Sequence, residues 1–437
     1  VVYQNKVESL PDSVAVTCEG EGSEPLPIRN NENYYSVTGK NGASYRIYPL
    51  STELVNTKNA SSDFYLSINI GSDAYFFNPH FAKTVVENKA GSATKPTLDK
   101  DQMISVRTPR HLYMMSLYYD KYAKATEGCT FAQERNIDYI RYDWPNYSVR
   151  EDKDKNPNSQ APIAGGDFAF RAIYDGGCHW ITNVNFTTEN GLYVGFIGQN
   201  GKEGTIKDVV LTATYEEGSA NNYHVRRSGN IENNRAVYMG VLVGRNIGTI
   251  KNCAVSGYYI AGSDGTIHAY ENSYLYAGGL VGGNAGTIVN CSADTPAMRL
   301  SSTFSNAFLG GFVGSNSNYI DNCYALGHIE VAFARGGGVS IAGFAGRNTD
   351  IIRDSYCATA LTASGDKASA YGFAPLGGQV NDCEYLNHGT YAYVNHMYPF
   401  NFDPCAGKSS TFSELRANSA EGRAVNSYNF KNTKTVT

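Results

Sequence analysis

No run of 18 apolar residues occurs anywhere in the 437 positions of this chain, so it encodes no helix able to cross a bilayer. Nothing in it resembles a secretory leader, and Val1 is expected to be a processed or trimmed start whose targeting information lies elsewhere. A basic excess is missing as well: the formal net charge is −5, which leaves no electrostatic footprint for nucleic acid. Close cysteine pairs of the C-x-x-C kind are lacking, so a zinc site has no ligand spacing to rest on. HExxH, GxSxG and P-loop strings are also absent. Charged residues make up only 18% while Gly (45) and Tyr (33) are plentiful. That balance is too apolar for a disordered chain and is sufficient for a large core.

What the chain does have is a block that returns from its middle almost to its end. It reads GFIGQNGKEGTIKDVV from Gly195, VLVGRNIGTIKNCAV from Val241, GLVGGNAGTIVNCSA from Gly279, GFVGSNSNYIDNCYA from Gly311 and GFAGRNTDIIRDSYC from Gly343, with a shortened echo from Gly372. Asn200, Asn246, Asn284, Asn316 and Asn348 are separated by 46, 38, 32 and 32 residues. The motif is constant while the unit length varies, so insertions fall between motifs. Within each unit the stretches are short, Gly-punctuated and rich in Val, Ile, Phe, Thr and Tyr, with no apolar face at helical spacing; they read as strands. Such a period means a solenoid.

A second column locates a bend. Ile206, Ile250, Ile288, Ile320, Ile352 and Val380 each stand two residues before Asp208, Asn252, Asn290, Asn322, Asp354 or Asp382. The next residue is Val209, Cys253, Cys291, Cys323, Ser355 or Cys383. In a straight strand, residues three apart face opposite sides. A corner at the Asn or Asp turns both inward, because these residues tolerate the left-handed conformation. Stacked Asn amides can also hydrogen-bond along the axis. With Ile181-Thr182-Asn183-Val184 there are seven such corners, or roughly 34 Å of stacked coil at about 4.8 Å per strand. The expected fold is all-β: a parallel β-helix, right-handed by the chirality of parallel connections.

The block Gly278 to Cys291 (GGLVGGNAGTIVNC) resembles the GLUG motif of surface proteins from gut-type Bacteroidetes and other bacteria. ISVRTPRHLYMMSL from Ile104, FAQERNIDY from Phe131, PIAGGDFAFRAIYDGG from Pro162 and ITNVNF from Ile181 resemble the lead-in of that family. The likeness covers about residues 101–437. It implies stacked β-helix coils and an adhesin or extracellular module, and it supplies no catalytic residues.

Residues 1–100 carry no repeat. Alternation in Val14–Thr17, Tyr45–Tyr48 and Phe64–Ile70 reads as a small β-sandwich-like domain, and Lys89 to Pro96 as a linker to the β-helix of residues 101–437. Open ends of a solenoid need lids. Thr108-Pro109 starts a helix with Leu112, Met115 and Tyr119 on one face, and Thr411 to Glu414 has capping-box spacing ahead of Leu415.

Cys253, Cys291 and Cys323 share one column with Cys383, and parallel Cβ vectors suit disulfides poorly. They are expected to be buried thiols acting as small hydrophobes, with Asn252, Asn290 and Asn322 as the neighbouring structural ladder. Asp175-Gly176-Gly177-Cys178-His179 brings an acid, a thiol and an imidazole together, but neighbours on a strand face opposite sides and Asp-Gly-Gly is turn chemistry. The family resemblance implies a corner there too. Glu216, Glu217, Asp264 and Asp366 share no register, so a paired-carboxylate site is not indicated. The chain is expected not to be an enzyme and to need no cofactor or metal.

Loops between coils carry the binding expectation. Tyr215 to Tyr238 includes Tyr223, His224, Arg226 and Arg227, and Ser256 to Tyr276 includes Tyr258, Tyr259, His268, Tyr270, Tyr274 and Tyr276. Aromatic rings offer flat, low-entropy contact for sugars or proteins. The candidate ligand residues are Tyr223, Tyr258, Tyr259, His268, Tyr270 and Tyr274. The reading is an extracellular, outer-membrane-associated adhesin-like protein for a glycan or host surface protein, possible pilus or fimbria subunits being further partners. The alternatives are a polysaccharide-degrading enzyme or carbohydrate-binding accessory module, and a structural spacer.

Overall fold

A computed structural model describes residues 103–124, 126–139, 159–214, 224–227, 234–262, 273–301, 306–334, 338–365 and 368–386, the strands 392–394 and 408–410, and eight short strands between Val2 and Val86. It forms two compact units, Val1–Ser105 and Val106–Thr437. In the first unit every pairing is antiparallel. Val2–Gln4, Ser44–Ile47 and Tyr35–Thr38 make one sheet; Pro25–Pro27, Ser13–Thr17, Leu66–Ile70, Asp73–Asn78 and Lys83–Val86 make another. The alternating segments seen in the sequence coincide with three of these strands. The side chains that a sandwich would enclose, and the linker 89–96, lie outside the described residues.

In the second unit the pairings are parallel, and each joins a strand to its counterpart one repeat later. One wall consists of Tyr193–Val194, Ala236–Gly240, Tyr274–Gly278, Asn306–Gly310, Gly338–Ala342 and Ala368–Tyr371. A second wall is Ile197–Asn200, Val243–Asn246, Val281–Asn284, Val313–Asn316 and Ala345–Asn348. The third carries the Ile column in strict register, Ile206 on Ile250, Ile288, Ile320, Ile352 and Val380. Ile206, Ile250, Ile288, Ile320 and Ile352 are all fully buried, each worth about 1.5–3 kcal/mol of transfer free energy. Phe312, Phe344 and Phe373 stack through the same interior with centroids 4.7 Å apart, close to the spacing of neighbouring strands.

All seven corners are left-handed. Asn183, Asp208, Asn252, Asn290, Asn322, Asp354 and Asp382 have φ between 48° and 61°, and Val184, Val209, Cys253, Cys291, Cys323, Ser355 and Cys383 after them are buried. The thiols are more than small hydrophobes. Each donates to the carbonyl two residues back: Cys253 to Lys251 (3.2 Å), Cys291 to Val289 (3.2 Å), Cys323 to Asp321 (3.1 Å) and Cys383 to Asn381 (3.2 Å). The Cys253 N–H donates in turn to Cys291 Sγ at 3.4 Å, and that of Cys291 to Cys323 Sγ at 3.4 Å. Burial pushes the Cys253 and Cys291 thiols well up and that of Cys383 to about 12, so they stay protonated donors.

Thr108 caps the helix Pro109–Tyr122, its Oγ1 accepting from the His111 N–H at 3.4 Å. Leu112, Met115 and Tyr119 form its buried face. The Tyr119 ring lies 5.1 Å from Phe170 and 6.5 Å from Phe131, so the helix covers the first coil. The capping segment expected at Thr411 to Leu415 lies outside the described residues.

Candidate binding face

The acid–thiol–imidazole group is a turn. The Gly177 N–H donates to Asp175 Oδ1 at 3.0 Å and the His179 N–H to the Gly176 carbonyl at 2.9 Å, while Lys207 pairs with Asp175. Cys178 has φ 58° and is exposed. Partial burial first, then Asp208 and Asp175, pushes its thiol up, away from nucleophile chemistry.

The two segments read as loops contain wall strands. His224–Arg227 pairs with Tyr259–Gly262, and that strand pairs with Thr287–Ser301. Val225, Ile260 and Met298 point inward in one buried column, and this alternation sets which polar side chains face out. Tyr258 is a correction: it is 1% exposed and stacks on Phe186 at 5.9 Å, so it belongs to the core. Tyr259 is half-buried on the outer side, 5.4 Å from the His224 ring. The Arg299 guanidinium lies 5.9 Å from the Tyr259 centroid and pairs with Glu330 at 2.6 Å. Tyr274 is 39% exposed and stacks on Tyr276 at 6.2 Å. Tyr223, His268 and Tyr270 lie outside the described residues.

A second aromatic row went unread in the sequence. Tyr193, Tyr238, Tyr276 and Phe308 occupy one register position on successive coils. Their centroids are 5.8, 5.0 and 5.4 Å apart and their planes diverge by only 19°, 17° and 12°. The signal was available: these residues are 45, 38 and 32 positions apart, nearly the spacing of the Asn column. Rings repeated at strand spacing cannot lie side by side without overlap, so they tilt and stack, each occupying its neighbour's face.

Beside this row the second wall presents Gln199, Arg245, Gly283, Ser315 and Arg347 in register. Arg245 approaches the Tyr238 centroid to 5.6 Å and Arg347 that of Phe308 to 5.8 Å. A Cβ on Gly283 would sit 2.6 Å from Tyr238 Cδ1, so the missing side chain is what lets that ring lie over the wall. Burial pushes the Tyr238 and Tyr276 hydroxyls up, with Arg245 and Arg347 respectively opposing it. Among the described residues neither arginine has a carboxylate partner.

No protein-family model matches the chain, and no curated protein sequence matches it. A crystal structure from Bacteroides ovatus, provisionally described as that of an immunoglobulin A1 protease, is similar to it with a TM-score of 0.50. The two are 19% identical over 73% of this chain and 87% of the other; at that identity the likeness concerns the fold alone. No helix among the described residues is long and apolar enough to cross a membrane.

Proposed function

We propose that the chain is a secreted or surface-displayed bacterial adhesin-like protein, non-catalytic, built as a small sandwich-like domain followed in sequence by a GLUG-type right-handed parallel β-helix. In this reading the coils give rigid reach from an outer membrane of Bacteroidetes type, possible pilus or fimbria subunits are neighbours, and side chains on the outer walls hold a glycan or a host protein. The observation that carries it is the outward aromatic row flanked by Arg245 and Arg347. Among the described residues, the column thiols hold carbonyls and Asp175 holds a turn.

A glycan array supplemented with host matrix proteins tests the reading with the purified chain. Specific, saturable binding is expected, and failure to bind any of them would leave only the spacer. The description of the Bacteroides ovatus protein as a protease favours one further arm. Immunoglobulin A and polysaccharides incubated with the chain are expected to remain intact, and cleavage of either would replace adhesion with catalysis.

A further inference from the structure

The row Tyr193, Tyr238, Tyr276 and Phe308 looks at first like a platform for stacking sugars, and its geometry argues against that use. Inner rings at 5.0–5.8 Å already face one another, so what the row offers outside is ring edge, from the half-buried Tyr193, Tyr238 and Phe308, while Tyr276 is only 8% exposed. A ring's edge is the positive part of its quadrupole. The hydroxyls of Tyr193, Tyr238 and Tyr276 are hydrogen-bond donors. The backbones of Arg245 and Arg347 are three strands apart, or about 14 Å, with only Gly283 and Ser315 between them on that wall, and their guanidiniums lie over Tyr238 and Phe308, on either side of Tyr276. Arg347 also opposes the rise of the Tyr276 hydroxyl, so its positive charge lies near that oxygen. All these features favour negative charge, in a chain whose formal net charge is −5.

Resting on the binding role proposed above, we infer that the ligand of this face is an acidic linear glycan laid along the coils, its anionic groups meeting Arg245 and Arg347. A guanidinium's fork suits carboxylate and sulfate equally. A nucleic acid fits less well: its bases need open ring faces, and its affinity needs many phosphate contacts.

The test uses the full chain by surface plasmon resonance, with polygalacturonate as the carboxylate-bearing probe, dextran sulfate as the sulfate-bearing one, and neutral dextran and single-stranded DNA as comparisons. Binding to one or both acidic chains is expected, weakening with salt and falling about tenfold or more in R245A/R347A. An unchanged melting temperature in that variant separates recognition from folding. R245K/R347K is expected to recover part of the affinity, since charge returns without the fork. The inference is overturned if neither acidic chain binds, if the alanine variant binds them as well as the parent, or if dextran or DNA binds as tightly. Binding of another glycan or a host protein that ignores both arginines would sink this inference and leave the adhesin reading standing.

Discussion

The Asn252 side chain donates its Nδ2 hydrogen to Asp208 Oδ1 at 3.0 Å, toward the preceding coil. Asn290 donates to Asn252 at 3.2 Å and Asn322 to Asn290 at 2.7 Å in the same direction. The column inside the second wall runs the other way: Asn200 donates to Asn246, Asn246 to Asn284 and Asn284 to Asn316 at 2.8 Å each, and Asn316 to Asn348 at 2.9 Å. Its ends show the polarity, since Asn200 Oδ1 and Asn348 Nδ2 are buried without a partner. An ionised carboxylate only accepts, so Asp208 fits at the accepting end of the corner ladder and an Asp within either ladder would not.

Asn290→Asp therefore removes the donor to Asn252 while still accepting from Asn322, at a half-buried corner where Asp tolerates the left-handed backbone. A loss of about 1 kcal/mol is expected. Asn284→Asp places the same charge in a site 2% exposed, with a loss of about 3–5 kcal/mol. Urea unfolding of the two variants checks the order; equal losses would mean that burial of the charge does not matter, and no loss in either that the missing donor does not.

Ser355 indicates what the thiol column is for. Its Oγ donates to the Arg353 carbonyl at 2.7 Å and accepts from the Cys323 N–H at 3.1 Å, the two bonds a column cysteine makes. Cys291→Ser should stay within about 1 kcal/mol of the parent, whereas Cys291→Val leaves the buried Cys253 N–H without its acceptor and should cost about 1–3 kcal/mol. Thermal melts of both variants decide; a valine variant as stable as the serine one would restore the purely apolar account.

The corners were legible because one backbone demand, a left-handed residue between two inward side chains, leaves a residue-type signature at fixed offsets. The wall strands were not. His224–Arg227 and Tyr259–Gly262 offer one inward apolar residue apiece, Val225 and Ile260, too little alternation to separate a short strand from a polar loop. Tyr258 was misplaced for a related reason: no sequence rule tells an aromatic that turns inward from one that turns out. The Tyr193 to Phe308 row was hidden because it lies outside the motif, although it keeps nearly the motif's spacing. Ladder polarity is invisible in Asn, which both donates and accepts, and only Asp208 betrays it.

Asp294, half-buried on the outer face of the long strand Thr287–Ser301, has its carboxyl pushed up by loss of solvent. A raised folded-state value means that its favourable contribution is complete below the unfolded value of about 3.9 and is lost as pH rises through the folded one. Asp294→Asn should accordingly raise the melting temperature at about pH 7 and leave it unchanged at about pH 3, where the carboxyl is neutral in both states. A gain of the same size at both pH values would assign the effect to packing.

Gly282 and Gly283 are adjacent and should respond differently to a methyl group. On Gly282 it would meet the Met239 backbone nitrogen at 2.4 Å and the Gly244 carbonyl oxygen at 2.6 Å, atoms fixed by the ladders of two walls. On Gly283 it would meet the Tyr238 ring at 2.6 and 2.7 Å, and a side chain can swing away. Gly282→Ala is therefore expected to cost more than the roughly 1–3 kcal/mol of ordinary overpacking that bounds Gly283→Ala. The second variant should instead displace Tyr238 from between Tyr193 and Tyr276, visible as a change in the near-ultraviolet circular dichroism of the tyrosines in a protein that remains folded. If Gly283→Ala leaves that spectrum untouched, the ring does not depend on the bare backbone beneath it, and the close approach has another cause.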